Sequence, residues 1–386
     1  MRRLFHQLHL WLSIPAGVIL TVVCLSGAAL VFEQDITQAL NPHLYRSQPP
    51  EEGTPFLPPS ELMAHLQRQV PDTLTLSSLQ MPGTPSGVCM ASFKQTGKRS
   101  LSINPYTGHV NGWTRSYPFF QTMRKLHRWL MDAPAKKGEM SIGKAVVGVA
   151  TLLMVFILIS GLVIWIPRTA KALKNRLQMS FTKGWRRFWY DSHVALGFYA
   201  TSLLLLMALT GLTWSFGWYR TAAYSLFGGT ESRTTHSQSP KTLRTKGYDR
   251  PSSSKRQPDY TAWDKALSTI QTMYPDYQSA TFSTGKAQVA TSSLLKVRQT
   301  DIVNFDPQTG QVTDIEHYDE RPRSQTLRGW FYALHTGSWG GWATKILYFL
   351  AALIGGILPI TGYYLWLTKK LKRSRNQKPL QTRHFH

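Results

Sequence analysis

One uncharged apolar stretch of the chain, SHVALGFYATSLLLLMALTGLTW, carries a single histidine, His193, near its start. An ionisable side chain in so apolar a segment indicates a functional site. A second stretch, HLWLSIPAGVILTVVCLSGAAL, begins with His9, and in both stretches a glycine (Gly211 and Gly27, respectively) follows the histidine by 18 residues. On a helix this spacing makes about five turns, or about 27 Å, so histidine and glycine share one face. The repeated pattern predicts a flat cofactor at each end of a helical bundle.

Four charge-free windows are each longer than the about 20 residues that a helix needs to cross a bilayer; they are Leu4–Phe32, Ala145–Pro167, Ser192–Tyr219 and Ile346–Thr368. We therefore predict four transmembrane helices. The first window follows Arg2 and Arg3, as a signal peptide would. Its apolar run is too long for a signal peptide and no A-x-A site follows it, so we expect a retained membrane anchor.

The excess of basic residues, 44 Lys and Arg against 20 Asp and Glu, is concentrated in three places. Arg2 and Arg3 precede the first helix, seven Lys and Arg lie in residues 167–187, and KKLKRSRNQK follows the fourth helix. Positively charged loops stay on the cytoplasmic side of a membrane. We therefore predict that both termini are cytoplasmic and that the loops near 33–141 and 220–345 are external. The lipid bilayer accounts for this charge better than a nucleic acid does.

The two external loops repeat one order of elements. In the first, PSELMAHLQRQVPD predicts a helix with Ser60 as its N-cap, and TLTLSSLQM, GVCMASFK and RSLSINPYTGHVNGW predict strands. In the second, TAWDKALSTIQTMYPD predicts a helix, and QSATFST, AQVATSSLLKVRQ and DIVNFDPQTGQVTDI predict strands. INPYTGHV (103–110) matches NFDPQTGQV (304–312), each as strand, Asx-Pro-x-Thr-Gly turn and strand. We interpret the two loops as copies of one helix with a small antiparallel sheet.

A histidine-bearing helix follows each predicted sheet: FFQTMRKLHRWLM carries His127 and TLRGWFYALHTGSWGGW carries His335. The transmembrane helix that comes next has a late glycine in both cases, Gly161 in ISGLVIWIPR and Gly362 in ITGYYLWLTKK. The order of histidine helix, external domain, histidine and glycine helix thus occurs twice, which predicts a tandem duplication. Six tryptophans are interpreted mainly as interfacial belt residues: Trp129, Trp165, Trp214, Trp330, Trp339 and Trp366.

The motifs LHLWLSIPAG, NPYTG, LHRWLM, DSHVALGF, DPQTG, LHTGSWGG and ITGYYLW together resemble the PepSY-associated transmembrane family of bacterial inner membranes. The resemblance covers nearly the whole chain. It implies an α-helical integral membrane protein, a four-transmembrane-helix bundle with two external α+β PepSY-like domains. The expected segments are helix 1 at 1–36, external domain 1 at 37–118, a periplasmic helix plus helix 2 at 119–168, a basic loop at 169–188, helix 3 at 189–219, external domain 2 at 220–322, a periplasmic helix plus helix 4 at 323–368, and a basic tail at 369–386.

Some members of this family resemble siderophore-iron reductases of the FoxB type, which hold haem between their helices. The resemblance therefore implies two b-type haems. Neutral imidazole is a good axial ligand for haem iron, and topology pairs His9 with His193 at the cytoplasmic face and His127 with His335 at the external face. His6, one turn from His9, remains an alternative to it. Gly27 and Gly211 are expected near the external haem. Arg128 and Arg328 are candidate partners of the haem propionates.

With these ligands, the resemblance implies an oxidoreductase that passes electrons from a quinol or a cytoplasmic reductase to an external acceptor, for which a ferric siderophore is the leading candidate. His109 and His317, which follow the two predicted turns, are candidate contacts for an iron substrate. The alternative is a non-catalytic membrane module whose PepSY-like domains bind a peptidase or another envelope partner. No catalytic acid, base or nucleophile is predicted, because no hydrolase, zinc-protease or nucleotide-binding motif has a supporting context. Cys24 and Cys89 lie in different predicted regions, so no disulfide is expected.

Overall fold

A computed structural model of the chain describes residues 1–136, 139–229, 260–291 and 299–376, with side chains up to residue 371. The chain forms two compact units. The helical unit comprises Met1–Glu33, Tyr117–Ala223 and Phe331–His386, and the sheet unit comprises Gln34–Ser116 and Tyr224–Trp330.

Among the described residues, four helices are long and apolar enough to cross a membrane, as predicted. They are α1, α5, α7 and α11. The α-helices are α1 Arg2–Val31, α2 Glu33–Leu40, α3 Pro59–Gln69, α4 Pro118–Trp129, α5 Ile142–Trp165, α6 Ala170–Leu177, α7 Trp185–Ser215, α8 Gly217–Leu226, α9 Thr261–Met273, α10 Arg323–Thr336 and α11 Gly341–Asn376.

The four long helices form a bundle in which α1 and α7 each pack against both α5 and α11. Small side chains let helix backbones approach closely in an apolar environment, and the buried core of this bundle includes Ala16, Ala150, Ala200, Ala208 and Ala351. At one end, Arg2 donates to the carbonyl oxygen of Ile166 at 2.5 Å and Arg176 donates to that of Ile164 at 3.0 Å. These bonds satisfy carbonyls that the end of α5 leaves without helical partners. We call this end, where α1 begins and α5 stops, the basic end.

The sheet unit contains one eight-stranded antiparallel sheet in the order β4-β3-β2-β1-β5-β6-β7-β8. The strands are β1 Leu76–Pro82, β2 Cys89–Phe93, β3 Ser100–Ile103, β4 Val110–Trp113, β5 Tyr277–Ser283, β6 Lys286–Thr291, β7 Thr300–Phe305 and β8 Val312–Glu316. The predicted strand over 287–299 is thus found as far as Thr291, and residues 292–298 lie outside the described part of the chain.

The segments predicted as two separate external domains form this one sheet. β1 pairs with β5 from Leu79 opposite Phe282 to Pro82 opposite Ser279. A strand left at an edge exposes unpaired backbone groups, and the β1–β5 pairing removes one such edge from each half. The prediction of two separate domains is therefore corrected to one unit with two four-stranded halves. The origin of the halves by duplication remains a prediction.

Helices α3 and α9 supply the apolar core of the sheet unit. Leu62, Leu66 and Ile270 are fully buried against Phe282 and its neighbours in the sheet. The two helices also meet through a polar contact, in which the backbone N–H of Ser60 donates to Asp264 Oδ1 at 2.8 Å and the Ser60 hydroxyl donates to Oδ2.

The prediction that Ser60 is the N-cap of this helix is wrong. The N-cap is two residues earlier, at Pro58, which makes no side-chain capping bond, and the helix begins at Pro59. Proline suits the first helical position because its φ is fixed at a helical value and its missing N–H has no helical partner there. The Ser60 N–H is satisfied by the carboxylate of Asp264 instead.

The two predicted Asx-Pro-x-Thr-Gly turns are present with matching hydrogen bonds. Asn104 Oδ1 accepts from the backbone N–H of Tyr106 at 2.9 Å, and Asp306 Oδ1 accepts from that of Gln308 at 2.8 Å. Both turns close on a glycine with positive φ, +67° at Gly108 and +69° at Gly310. Glycine adopts that conformation without steric cost, which explains its place in both motifs.

The expectation that no disulfide forms is confirmed: Cys24 in the helical unit and Cys89 in the sheet unit are free and buried.

The carboxylate of Asp301 on β7 accepts hydrogen bonds from three donors. One donor is His317, a predicted substrate contact. The Asp301 carboxylate accepts from the Tyr274 hydroxyl, from His317 Nδ1 and from the Tyr318 N–H, each at 2.9 Å. Burial alone would raise the pKa of Asp301, but these hydrogen bonds outweigh it and hold that pKa below its usual value. The same hydrogen bond to Asp301 raises the pKa of His317 above its usual value.

We predict that D301N lowers the pKa of His317 toward the value of a free histidine. The raised folded-state pKa means that the contribution of His317 to stability is present below about pH 6.5 and is lost as pH rises through the folded-state pKa. The measurement is an NMR titration of histidine-labelled full-length protein, with His317 assigned from H317Q. D314N, on the neighbouring strand β8, is the matched control and should leave the midpoint unchanged. An unchanged midpoint in D301N would contradict the assignment.

Candidate functional site

Four histidines of the helical unit meet in two pairs. The ring centres of His9 on α1 and His193 on α7 are 6.3 Å apart, with their planes at 88°. The ring centres of His127 on α4 and His335 on α10 are 6.0 Å apart, with their planes at 51°. These are the pairs that the topology of the sequence predicts.

Each histidine ring lies against a glycine of a neighbouring long helix. A Cβ on Gly27 would lie 2.8 Å from the His127 ring, and one on Gly161 or Gly211 would lie 3.1 Å from the ring of His9 or His335, respectively. A Cβ contact below 3.0 Å essentially never occurs, so Gly27 leaves no room for a larger residue. At Gly161 and Gly211 the histidine ring would have to move by a few tenths of an ångström to admit one. The fourth glycine, Gly362, faces the His193 ring with more space, since its Cβ would stand 3.6 Å away.

Backbone carbonyls anchor three of the rings through Nδ1. The Nδ1–H groups of His9, His127 and His335 donate to the carbonyl oxygens of Ile157 at 3.0 Å, Val23 at 2.8 Å and Met207 at 2.9 Å, respectively. Every acceptor is the carbonyl four residues before the glycine that the ring contacts. A carbonyl oxygen only accepts, so Nδ1 carries the hydrogen and Nε2 keeps its lone pair in these three rings.

His193 reaches the same state through a hydroxyl. Its Nδ1 donates to Thr361 Oγ1 at 2.7 Å, while the Thr361 hydroxyl donates onward to the carbonyl oxygen of Leu358 at 2.8 Å. Leu358 is again four residues before the glycine, Gly362. All four histidines therefore present a bare Nε2, and an Nδ1–H held by a backbone carbonyl or a hydroxyl is the usual outer-shell arrangement of metal-ligating histidine.

A hydroxyl residue, for which the sequence alone predicted no role, precedes every one of the four glycines. Thr361 accepts the hydrogen of His193, and the hydroxyl oxygens of Ser160 and Thr210 lie 3.3 and 3.2 Å from Nδ1 of His9 and His335. In the fourth case the Ser26 hydroxyl donates to the helix carbonyls of Val22 and Val23. The signal was available in the sequence as the dipeptides Ser-Gly and Thr-Gly, which recur once in each long helix at these positions.

The two pairs lie at opposite ends of the bundle. On α1, His9 belongs to one pair and Gly27 supports the other, and on α7 His193 and Gly211 have the same relation. Eighteen residues of helix separate His9 from Gly27 and His193 from Gly211, which corresponds to about 27 Å. The His9–His193 pair is at the basic end, where α1 begins, and the His127–His335 pair is near its other end. Gly27 and Gly211, which are predicted to lie near the external haem, contact the rings of His127 and His335.

A tight connection after α4 fixes His127. Leu130 and Met131 both have positive φ, 49° and 72°, which is uncommon for residues other than glycine. The turn then brings Asp132 to the start of α5, where its carboxylate accepts from the Gly143 N–H at 2.8 Å. The turn after α10 also contains a residue with positive φ, Gly337 at +71°, and glycine adopts this conformation without strain.

Helices α4 and α10 lie outside the membrane-spanning helices, and both of their paired histidines are half-buried. Burial is the main cause that lowers the pKa of His127, and the nearby Arg128 cation lowers it further. Burial also lowers the pKa of His335 to about 4, and the pair partner His127 adds to that shift. Hydrogen bonds to Val23 and Met207 oppose the shift without cancelling it. Both imidazoles are therefore neutral near pH 7, which is the form that binds metals.

The remaining predicted residues lie at or beyond the margin of these pairs. His6 is exposed, and His9 rather than His6 stands opposite His193. Arg128 has its guanidinium 4.5 Å from the Trp129 ring centre, and Arg328 lies on α10, two turns before His335. Of the predicted belt residues, Trp214 contacts the site, with its ring centre 5.3 Å from that of His335. His236, His384 and His386 lie outside the described residues.

The geometry fits a planar metal cofactor better than a bare ion. A metal binds imidazole nitrogen at about 2 Å and the ring centre lies about 1 Å further, so two rings on opposite sides of one metal have centres roughly 6 Å apart. Within the described residues, no three His, Cys, Asp or Glu side chains converge on one point. A bare zinc ion needs three or four protein ligands, whereas haem requires only the two axial ones. The residues present therefore fit two haems, one for each pair.

We predict that G27A destabilises the protein and that G362A does not. The methyl group added at position 27 would overlap the His127 ring, and overpacking of this kind costs about 1–3 kcal/mol. G362A meets His193 at an ordinary contact distance, so its better helix propensity leaves stability unchanged or raised by up to about 1 kcal/mol. Thermal unfolding in detergent by intrinsic fluorescence provides the measurement. Equal melting temperatures for the two variants would contradict the steric account.

Comparison with protein families matches residues 6–369 to one family, described as the PepSY-associated TM region. A search of curated proteins found no match. The family match agrees with the resemblance seen in the motifs, while the narrower resemblance to siderophore-iron reductases remains a prediction. With nearly its whole length matched, the chain belongs to the PepSY-associated TM family.

Proposed function

We propose that the protein is a di-haem oxidoreductase of a bacterial inner membrane that passes electrons across the bilayer to a ferric siderophore. The observation that carries the proposal is the fourfold repetition of one histidine environment: a ring against a glycine, Nδ1–H held by a carbonyl or hydroxyl, and a second imidazole whose ring centre lies 6.0 or 6.3 Å away. Histidines with a purely structural role would not need the same environment four times, whereas two pairs of metal-binding histidines would.

In this proposal His9 and His193 hold one b-type haem and His127 and His335 hold the other. Haem, when bound by two imidazoles, supplies reversible one-electron chemistry at a low-spin iron. The glycines keep the rings close to the helix backbones. The carbonyl and hydroxyl acceptors fix the ring orientation and increase the basicity of Nε2. Arg128 and Arg328 are proposed to pair with haem propionates, since guanidinium suits carboxylates.

The charge distribution supports an orientation for this electron path. Arg2 and Arg176 lie at the same end as His9 and His193, and basic residues at helix ends favour the cytoplasmic side. With both termini cytoplasmic, His9 and His193 face a quinol or a cytoplasmic reductase as donor. His127 and His335 then face the periplasm, where the ferric siderophore is reduced by one electron and releases iron as the weaker-binding ferrous ion.

A second function, binding of an envelope peptidase or another protein partner, has one observation in its favour. The sheet unit contains a cavity of about 480 Å³ lined by the proline-rich segment 49–59 and by α9 residues such as Leu267 and Gln271. This cavity needs none of the four histidines. If binding is the whole function, replacing all four with alanine leaves the activity intact.

We predict two b-type haems per chain in the detergent-purified full-length protein expressed with ample haem. The absorption spectrum should show a low-spin Soret band, with sharp α and β bands after dithionite reduction. H193A and H127A should each reduce the haem content by about one per chain, because each variant lacks one axial ligand. H6A is the matched control and should retain both haems. A colourless wild-type protein would contradict the proposal and favour the binding module.

A further inference from the structure

The chain between α5 and the apolar part of α7 carries only positive charge. Residues 166–190 contain seven Lys and Arg and no Asp or Glu. Two of the seven have partners within the protein: Arg176 donates to the carbonyl oxygen of Ile164 at 3.0 Å, and Arg187 donates to the carboxylate of Asp191 at 2.8 Å. The other five are exposed, and within the part of the chain that the structure describes none of them forms an ion pair: Arg168, Lys171, Lys174, Lys183 and Arg186.

The same segment also exposes aromatic side chains. Phe181 is 75 % exposed and Trp185 is 72 % exposed. Both pack against Phe188, with ring centres 5.4 and 5.7 Å from that of Phe188. Trp189 extends the cluster to α11, because its ring centre lies 6.3 Å from that of Tyr364. Contiguous exposed apolar side chains mark an interaction site. We call residues 166–190 the basic–aromatic patch.

The length of α7 places this patch at the boundary of the membrane. The helix has 31 residues and is therefore about 46 Å long, whereas the hydrocarbon core is about 30 Å thick. About ten residues must extend beyond the core, and the charged residues Arg186, Arg187 and Asp191 place that excess at the start of the helix. The end of α6 is held beside the same helix, since the Tyr199 hydroxyl donates to the carbonyl oxygen of Leu177 at 3.2 Å.

Charge and apolar surface together select the occupant of the patch. A soluble anion would satisfy the five cations but leave Phe181 and Trp185 in water. A zwitterionic lipid would cover the two rings but bring no net charge. An anionic phospholipid does both, because its headgroup carries the negative charge and its chains begin at the depth of the rings. Basic side chains at the cytoplasmic end of a membrane helix are attracted to anionic lipids in this way.

We propose that the basic–aromatic patch binds anionic phospholipid, with Lys183 and Arg186 on the headgroup phosphate and with Phe181 and Trp185 against the first part of the acyl chains. The three cations on and before α6 attract further headgroups. This interaction goes beyond the proposed electron transfer and needs neither haem nor a siderophore.

The test is native mass spectrometry of delipidated full-length protein titrated with dioleoyl phosphatidylglycerol or dioleoyl phosphatidylcholine. We expect the Kd of the first bound phosphatidylglycerol to be at least fivefold lower than that of phosphatidylcholine. K183Q/R186Q should raise the phosphatidylglycerol Kd about five- to thirtyfold and leave the phosphatidylcholine Kd unchanged, since each basic residue contributes about 1 kcal/mol, or about fivefold. W185A should weaken binding of both lipids.

The matched control is K94Q/K98Q, which removes two exposed lysines of the sheet unit and should bind both lipids as wild type does. Equal Kd values for the two lipids in wild type, or equal effects of the two double variants, would overturn the proposal. Displacement of phosphatidylglycerol by millimolar glycerol 3-phosphate would also overturn it, because a headgroup without chains would then be enough. A photoreactive phosphatidylglycerol that labels the peptide containing Trp185 supports the proposed location.

Discussion

The hydrogen bond from each histidine Nδ1 toward a neighbouring helix is the interaction on which the rest of the site depends. The ring can reach its acceptor, a carbonyl or the hydroxyl bonded to that carbonyl, because the residue one turn later is glycine. The bond fixes the tautomer, and this tautomer leaves Nε2 without a hydrogen and free to bind a metal. Four repetitions of this arrangement bring the rings together in two pairs, with centres 6.3 and 6.0 Å apart.

The same interaction ties helix packing to chemistry. His9 joins α1 to α5 and His193 joins α7 to α11, while His127 and His335 join α4 and α10 to α1 and α7. A shift of any long helix would therefore move a ring as well as break a core contact. In an apolar interior no water can replace a lost hydrogen-bond partner of a ring nitrogen, so each of these hydrogen bonds has to be made within the protein.

Much of this could be predicted from the sequence, for identifiable reasons. Apolar length predicted the four spans, and the 18-residue spacing from His9 to Gly27 and from His193 to Gly211 predicted which residues share an end. The β1–β5 pairing could not be predicted, since no local pattern specifies which edges of two sheets meet. The helix start at Pro59 was missed because Ser60 looks like a cap until Asp264, 204 residues away, is brought beside it. The roles of Ser160, Thr210 and Thr361 can be identified only when the helices are seen packed together, although the recurring Ser-Gly or Thr-Gly dipeptide is visible in the sequence.

The most direct test of a transmembrane electron path is reduction of an external ferric hydroxamate siderophore by proteoliposomes that contain trapped dithionite. Ferrous iron would be detected outside by an impermeant ferrous chelator. A transmembrane electron path predicts a rate well above that of protein-free liposomes. H127A, which lacks one ligand of the pair farther from the basic end, should give a rate near that background. A haem-loaded wild-type protein that gives no more ferrous iron than protein-free liposomes would contradict the account.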